Sequence, residues 1–282
     1  MSRENIKLRL VKDRGFQAVV VVLSFLSMVP LTLILFYIVG NGLSSLSWEF
    51  LVELPKPVGE HGGGIANAIA GSFLLVMIAS IPAIPIGVSA GIYLSERKDA
   101  KLSSAARLAV EVLHGTPSIV IGIIAYLWLV TSTGGFSALS AGIALGIMML
   151  PVIVRATEET LKLIPDSLKE ASLALGIPYY KTILKVILPA GFSGITTGIL
   201  ISLARIAGET APLLFTAFGN PFMNWNITRP VNALPLLIYN YATSPYPEWH
   251  AIAWGASLVL VGLVLTLNVV ARIIASRWKV QF

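Results

Sequence analysis

The chain has 282 residues, of which 56% are hydrophobic and only 12% charged, and its mean hydropathy is +0.82. Soluble domains carry about 25% charged residues, so this composition excludes an ordinary soluble protein and argues for one embedded in a bilayer. The lack of cysteine excludes disulfides, thiolate metal sites and cysteine nucleophiles, and the net charge of +6 has to be explained by topology before any polyanion is invoked.

Six stretches are long and apolar enough to cross about 30 Å of hydrocarbon as helices: residues 16–39, 65–94, 113–130, 136–154, 186–204 and 251–274. The expected fold class is therefore an all-α integral membrane protein with six transmembrane helices. The first stretch follows a basic segment, but it is too long for a signal core of about 7–15 residues and no small-x-small cleavage site follows it. Residues 1–40 thus read as a tail and an uncleaved anchor. Residues 40–64 form a first large connection.

Pro82 and Pro85 interrupt the second stretch, Pro117 the third and Pro151 the fourth. Each removes a backbone donor and is expected to bend its helix, which a membrane tolerates where neighbours cover the freed carbonyl. The fifth stretch carries Gly191, Gly194 and Gly198, a small face along which another helix can approach closely. A second large connection, residues 218–250, is rich in Pro, Asn and aromatics, including Trp225, Tyr239, Tyr241, Tyr246 and Trp249. Such aromatics suit the membrane interface or a docking surface. Within it, residues 231–241 are apolar but too short to span, so a re-entrant or interfacial helix is expected.

Between the fourth and fifth stretches lies a polar segment, residues 155–189. Asp166 or Ser167, just after Pro165, is suited to cap a helix start. Leu168, Ala171, Ser172 and Leu175 then recur at helical spacing as one small, apolar stripe. Gly176 suits the left-handed position that ends a helix, and Pro178 the first turn of the next. Two short helices meeting at an angle are expected there, and a narrow face of this kind fits a partner's groove.

Cations reveal the orientation. Seventeen of the 20 Lys and Arg residues fall in the N-terminal tail, in the connections after the second and fourth stretches, and at the C-terminal end. The alternate connections hold only Lys56 and Arg229, and Arg205 sits within a span. Positive charge marks the cytoplasmic face, so both termini and residues 155–189 are predicted to be cytoplasmic. The charge is topology, and no nucleic acid is implied.

Arg205 is the exception that calls for a function. An arginine in the bilayer interior costs at least about 2.5–3.5 kcal/mol, so it should face a pathway or a partner charge. Arg205 would lie about 24 Å along a straight helix from Pro189 and so in the outer half of the membrane, and Glu209, four residues on, would share its face one turn further out. A structural ion pair and a site for an anion are both open, and the fork of arginine suits phosphate without identifying it.

Glu170, Ala171, Gly176, Leu188 and Pro189 fall where the EAA loop of ATP-binding-cassette importer permeases places its E-A-A, G and L-P, with Ser172 in place of the second alanine. The run Arg205-Ile-Ala-Gly-Glu-Thr-Ala-Pro-Leu-Leu-Phe-Thr-Ala-Phe218 closely resembles the PstA family of phosphate-specific permease subunits, as do residues 113–122 and 150–159. The resemblance implies a type I importer permease with a transmembrane domain over residues 62–274. It implies that Glu170, Ala171, Ser172, Gly176, Leu188 and Pro189 couple to an ATPase, and that Arg205, Glu209 and Thr210 line the translocation pathway. It also implies partners: a homologous PstC-like permease subunit, two PstB-like ATPase subunits, an extracytoplasmic PstS-like phosphate-binding protein, phosphate and membrane lipid.

The chain has no G-x-x-x-x-G-K-[ST] loop, so ATP is expected on the partner, with no cofactor, metal or catalytic residue in this chain and no enzymatic role of its own. His61, His114 and His250 are scattered, and neither H-E-x-x-H nor G-x-S-x-G occurs, which argues against an intramembrane enzyme. A permease for another oxyanion, such as sulfate or molybdate, and a secondary transporter remain as alternatives.

Because the native chain lacks cysteine, topology is directly testable. A cysteine placed at Asn226 should react with an impermeant thiol reagent in intact cells, and one at Asp166 should react only after permeabilisation.

Overall fold

The structure, a computed structural model, describes residues 3–60, 62–97 and 100–277; His61, Lys98 and Lys279 lie outside the described residues, as do the side chains of Arg3, Lys7 and Arg9. The described residues are helical, with no strand and one isolated bridge between Phe218 and Val231. In chain order, α1 runs over Arg3–Gly42 and leads through a tight turn to the short α2, Trp48–Val52. The Ser47 hydroxyl caps α2 by accepting from the Phe50 amide at 3.0 Å, and Phe50 is buried. Next come α3, Ala66–Glu96, and α4, Lys101–Gly115. α5, Ser118–Ala125, is prolonged by a π-helical turn, Tyr126–Val130, and by α6, Thr131–Thr133. α7 is Ala138–Lys162 and α8 is Asp166–Ala174. α9, Tyr179–Thr182, continues through a second π turn, Ile183–Ile187, into α10, Leu188–Ala190. α11 (Phe192–Ala207), α12 (Ala211–Thr216), α13 (Leu234–Ala242) and α14 (Pro247–Arg277) complete the chain.

Four segments, Lys12–Ser45, Ala66–Glu96, Ala138–Lys162 and Pro247–Arg277, are each long and apolar enough to cross a membrane. Two bent pairs bring the total to six if each is one span: Lys101–Gly115 with Ser118–Thr133, bent by 102°, and Tyr179–Ala190 with Phe192–Ala207, bent by 68°. The sequence-based third stretch is corrected accordingly. Its first residues, from Leu113, belong to α4, which turns away at Thr116–Pro117, where both residues are extended (ψ 128° and 136°). Proline forces its predecessor out of the helical region, and here the chain uses that to turn a corner. The fifth stretch is likewise broken, at Gly191. By contrast α3 runs as one element through Pro82 and Pro85, and α7 through Pro151.

The centre of the bundle is α7, which runs parallel to α3 and antiparallel to α11, and glycines set each contact. A methyl group added at Gly87 would lie 2.8 Å from Ile153, one at Gly91 2.5 Å from Thr157, and one at Gly142 2.3 Å from Ile78. On the other side Gly194 meets Thr160 at 2.4 Å and Gly198 meets Ala156 at 2.2 Å. The small face expected along the fifth stretch is thus the face that packs on α7. Leu75, Ala79, Leu145, Met149, Ile153, Ile206 and Leu213 fill the core between these helices. α1 lies against α14 at the edge, and most of its side chains are exposed, as lipid contact requires.

At one end, α13 packs on α14 and α3 with Leu234, Pro235, Leu236 and Leu237 buried. The helix expected within residues 231–241 is α13; residues 231–237 are buried by protein, while Tyr239 and Asn240 are exposed. The Asn67 amide donates to the Asn220 carbonyl at 2.7 Å, and the Leu234 amide to the Ser72 hydroxyl at 2.8 Å, which ties this cover to α3.

Gly71 is where that cover presses hardest, since an added methyl would sit 1.9 Å from the Asn232 carbonyl oxygen. Gly71→Ala is expected to cost about 1–3 kcal/mol, read as a lower unfolding temperature in detergent. Gly262→Ala, with nothing within 4 Å, should leave that temperature unchanged.

Candidate functional site

Two groups of residues carry chemistry, one at the end of the bundle where α3 and α7 finish and one near its middle. At the end, charges are concentrated around two carboxylates. Glu158 of α7 is buried and accepts from Arg107 Nε at 2.8 Å and Lys162 Nζ at 2.5 Å, while Arg107 Nη2 donates to the Leu94 carbonyl at 2.9 Å. Arg155 reaches Glu111 at 2.9 Å. These bonds pin α4 across the ends of α3 and α7. Glu96, the last residue of α3, accepts from Lys169 of α8 at 2.7 and 2.8 Å and from the Tyr179 hydroxyl of α9.

The segment expected to form two helices at an angle does so. Gly176 takes φ +76°, the left-handed conformation that glycine adopts without steric cost, and Pro178 precedes α9. Details differ from the sequence reading. Pro165 occupies the N-cap, and neither Asp166 nor Ser167 makes a capping bond. Asp166 is the first helical residue, where its charge suits the helix dipole, and it lies 3.9 Å from Lys169. The expected stripe is split between two faces. Ser172 turns inward, buried, and shares a 2.9 Å hydrogen bond with Thr182 across the corner. Ala171 and Glu170 are exposed, and Leu175 is 81% exposed. The open surface of the corner is therefore Glu170, Ala171, Leu173, Leu175 and Gly176, joined by Leu163, Tyr179 and Tyr180, which are also exposed. Leu188 and Pro189 lie beyond the π turn in α10, close to the bend at Gly191.

In the middle, the expected continuous helix through Arg205 and Glu209 ends at Ala207. Gly208 closes it, the Glu209 amide still donating to the Ile206 carbonyl at 3.2 Å, and Thr210 starts α12. The two charged side chains nonetheless meet, Arg205 Nε lying 3.9 Å from Glu209 Oε1, a loose contact rather than a tight bond. Arg205 is 44% exposed and Glu209 19%. Both thus flank an interruption in the backbone, with Thr210 half-buried beside them.

The bend at Gly191 means that the count along a straight helix from Pro189 does not apply. α11 touches Ala156 at Gly198, and the Ser137 amide donates to the Thr216 carbonyl at 3.0 Å, so Arg205 lies between these two levels of α7, close to its midpoint. Beyond it, Pro212 backs onto Gly122 of α5, where an added methyl would meet Pro212 Cα at 2.7 Å. Phe218, at the end of this segment, is held at φ +65°, sparsely populated for a bulky residue, and its ring stacks on Phe136 at 4.6 Å.

Sequence reasoning overlooked Glu96, Lys169, Tyr179, Arg107 and Glu158. The bonds that join Arg107 to Glu158 and Glu96 to Lys169 and Tyr179 span tens of residues of chain, and no local pattern marks them.

Comparison with known proteins supplies the context for this geometry. The family described as binding-protein-dependent transport system inner membrane component matches residues 83–280. The phosphate transport system permease protein PstA of Yersinia pestis is 44% identical over 87% of this chain and 84% of its own length. The protein of the same name from Pasteurella multocida is 37% identical over 97% and 98%. Among solved structures, an inward-facing form of the MetNI methionine ABC transporter is similar with a TM-score of 0.61 at 22% identity, over 77% of this chain and 95% of that one. A bacterial alginate ABC transporter gives 0.62 at 12%, over 95% and 96%. At such identities the structural likeness speaks for the fold alone.

The bond across the corner yields a test by double-mutant cycle. Ser172→Ala or Thr182→Val alone leaves a buried hydroxyl unpartnered and should cost about 1–3 kcal/mol, whereas the double variant should cost less than the sum, measured by thermal unfolding in detergent.

Proposed function

We infer the function from kinship: the chain belongs to the family of binding-protein-dependent transport system inner membrane components, and it is a permease subunit of an ATP-driven phosphate importer. The observation that carries this reading is the 37–44% identity, over most of the chain, to phosphate permease subunits. The geometry agrees with it, since a cation is kept near the middle of the bundle at an interruption of the helix. Unwound backbone at that depth exposes polar groups that hydrocarbon would not satisfy, so it belongs beside a path or a partner.

In this reading residues 62–274 form the transporting domain and residues 1–40 its anchor. A homologous permease subunit covers the exposed side of Arg205 and completes the path. Arg205 draws phosphate inward, Glu209 competes for the same guanidinium and releases it when the anion arrives, and Thr210 offers a hydroxyl. A matching cation from the partner subunit makes the path net positive. The corner around Gly176, with Glu170 and Ala171 outermost, docks in a groove of the ATPase subunit, one copy on each permease. Ser172 acts from inside that corner, and Leu188 and Pro189 pass its motion toward Gly191. ATP is hydrolysed on the partner, and this chain has neither enzymatic role nor cofactor. An extracytoplasmic binding protein delivers phosphate to the face opposite the corner, and both termini lie on the cytoplasmic side.

The test is phosphate uptake by the whole complex in proteoliposomes. Arg205→Gln should lower uptake about tenfold or more, as expected for losing one charged hydrogen-bonding group, while the complex still assembles. Glu209→Gln should have the smaller effect. Recovery of uptake in the double variant would show the pair to be structural and remove Arg205 from the path, and uptake of sulfate in place of phosphate by the unaltered complex would overturn the substrate assignment.

A further inference from the structure

The corner is joined to the rest of the bundle in three ways. The chain enters it from α7 through residues 163–165 and leaves Tyr179 through the π turn to reach α11 across the 68° bend at Gly191. Leu168 and Ile183 share an apolar cluster with Val88 and Ile92 of α3. The polar link is Glu96. Its carboxylate takes Lys169 Nζ on both oxygens, at 2.7 and 2.8 Å, and the Tyr179 hydroxyl on Oε2. One residue of α3 thus holds both helices of the corner, on either side of Gly176. The pair is well shielded, with 13% of the Glu96 side chain and 22% of the Lys169 side chain exposed. Asp166, 71% exposed and 3.9 Å from Lys169, is the weaker competitor for the ammonium. Charge-assisted bonds away from water are strong, and removing one partner leaves the other charge uncompensated.

A bend is a poor transmitter of force, whereas α3 is one continuous helix, Ala66–Glu96, and meets α7 closely at Gly87, Gly91 and Gly142. The Ser172–Thr182 bond makes the corner stiff within itself. The charge-assisted part of the link from the corner to α3, and through it to α7, is as firm as Glu96 is held.

We propose that Glu96, Lys169 and Tyr179 form a positioning latch that transmits movement of the corner to α3, a line of coupling beside the chain's own paths into α7 and α11. The proposal rests on the reading of this chain as an importer permease. None of the three touches substrate. Their role is to keep ATP hydrolysis and phosphate passage in step.

The experiment uses the whole complex in proteoliposomes with the binding protein and phosphate, measuring ATP hydrolysed per phosphate imported together with the amount of assembled complex. Glu96→Gln and Lys169→Gln should each raise that ratio about fivefold or more, in the range of ordinary coupling energies. Tyr179→Phe should raise it less. The exchange Glu96→Lys with Lys169→Glu, which restores the opposite charges, should bring the ratio back toward the native one. A merely structural role predicts less assembled complex and proportionate loss of both rates, with the ratio unchanged; that result, or an exchange that leaves the ratio raised, overturns the latch. Failure of the unaltered complex to import phosphate at all would instead overturn the functional reading and the latch with it.

Discussion

The contact of α7 with α3 and α11 is the constraint on which the rest of the structure depends. Apolar side chains gain nothing by leaving lipid for protein, so helices in a membrane associate through close packing and polar bonds. Here the closeness comes from Gly87, Gly91 and Gly142 on one side and Gly194 and Gly198 on the other, positions at which a single methyl would overlap its neighbour. Because α7 is held at both ends of its length and on both sides, the levels of everything around it follow. Arg205 sits near its midpoint, Thr216 at its start, and Glu158 and Lys162 in its last turns.

Charge is arranged around that frame in two distinct ways. At the end of the bundle each buried or shielded carboxylate receives more than one donor: Glu158 from Arg107 and Lys162, and Glu96 from Lys169 and Tyr179. These clusters are closed, and they fasten α4, α8 and α9 to the long helices. In the middle the opposite holds. Arg205 and Glu209 approach only to 3.9 Å, and the cation stays 44% exposed. A pair so loosely made is a poor structural staple.

Breaks in the helices fall where the bundle turns or opens. Thr116–Pro117 lets α4 lie at 102° to the rest of its span, Gly191 separates the corner from α11, and Gly208 ends α11 just beyond Arg205. The prolines inside α3 and α7 do not break them, because both helices are packed along their length and the neighbouring helix holds them to one course.

By itself, the sequence determined the membrane class, the apolar runs and the corner at Gly176. Those are local properties: hydropathy is summed residue by residue, and a left-handed φ at a helix end favours glycine. The motif residues Glu170, Ala171, Arg205 and Glu209 were legible for the same reason, as short patterns with fixed spacing. The tertiary structure alone decided that Ser172 faces inward, that α11 stops before Glu209, that residues 231–237 lie under protein, and that Glu96 holds Lys169 and Tyr179. The last two partners stand 73 and 83 residues from Glu96 along the chain. No window of sequence contains such a bond, and a helix in lipid ends where neighbouring helices can satisfy its freed backbone, so these features depend on packing that exists only once the bundle has formed.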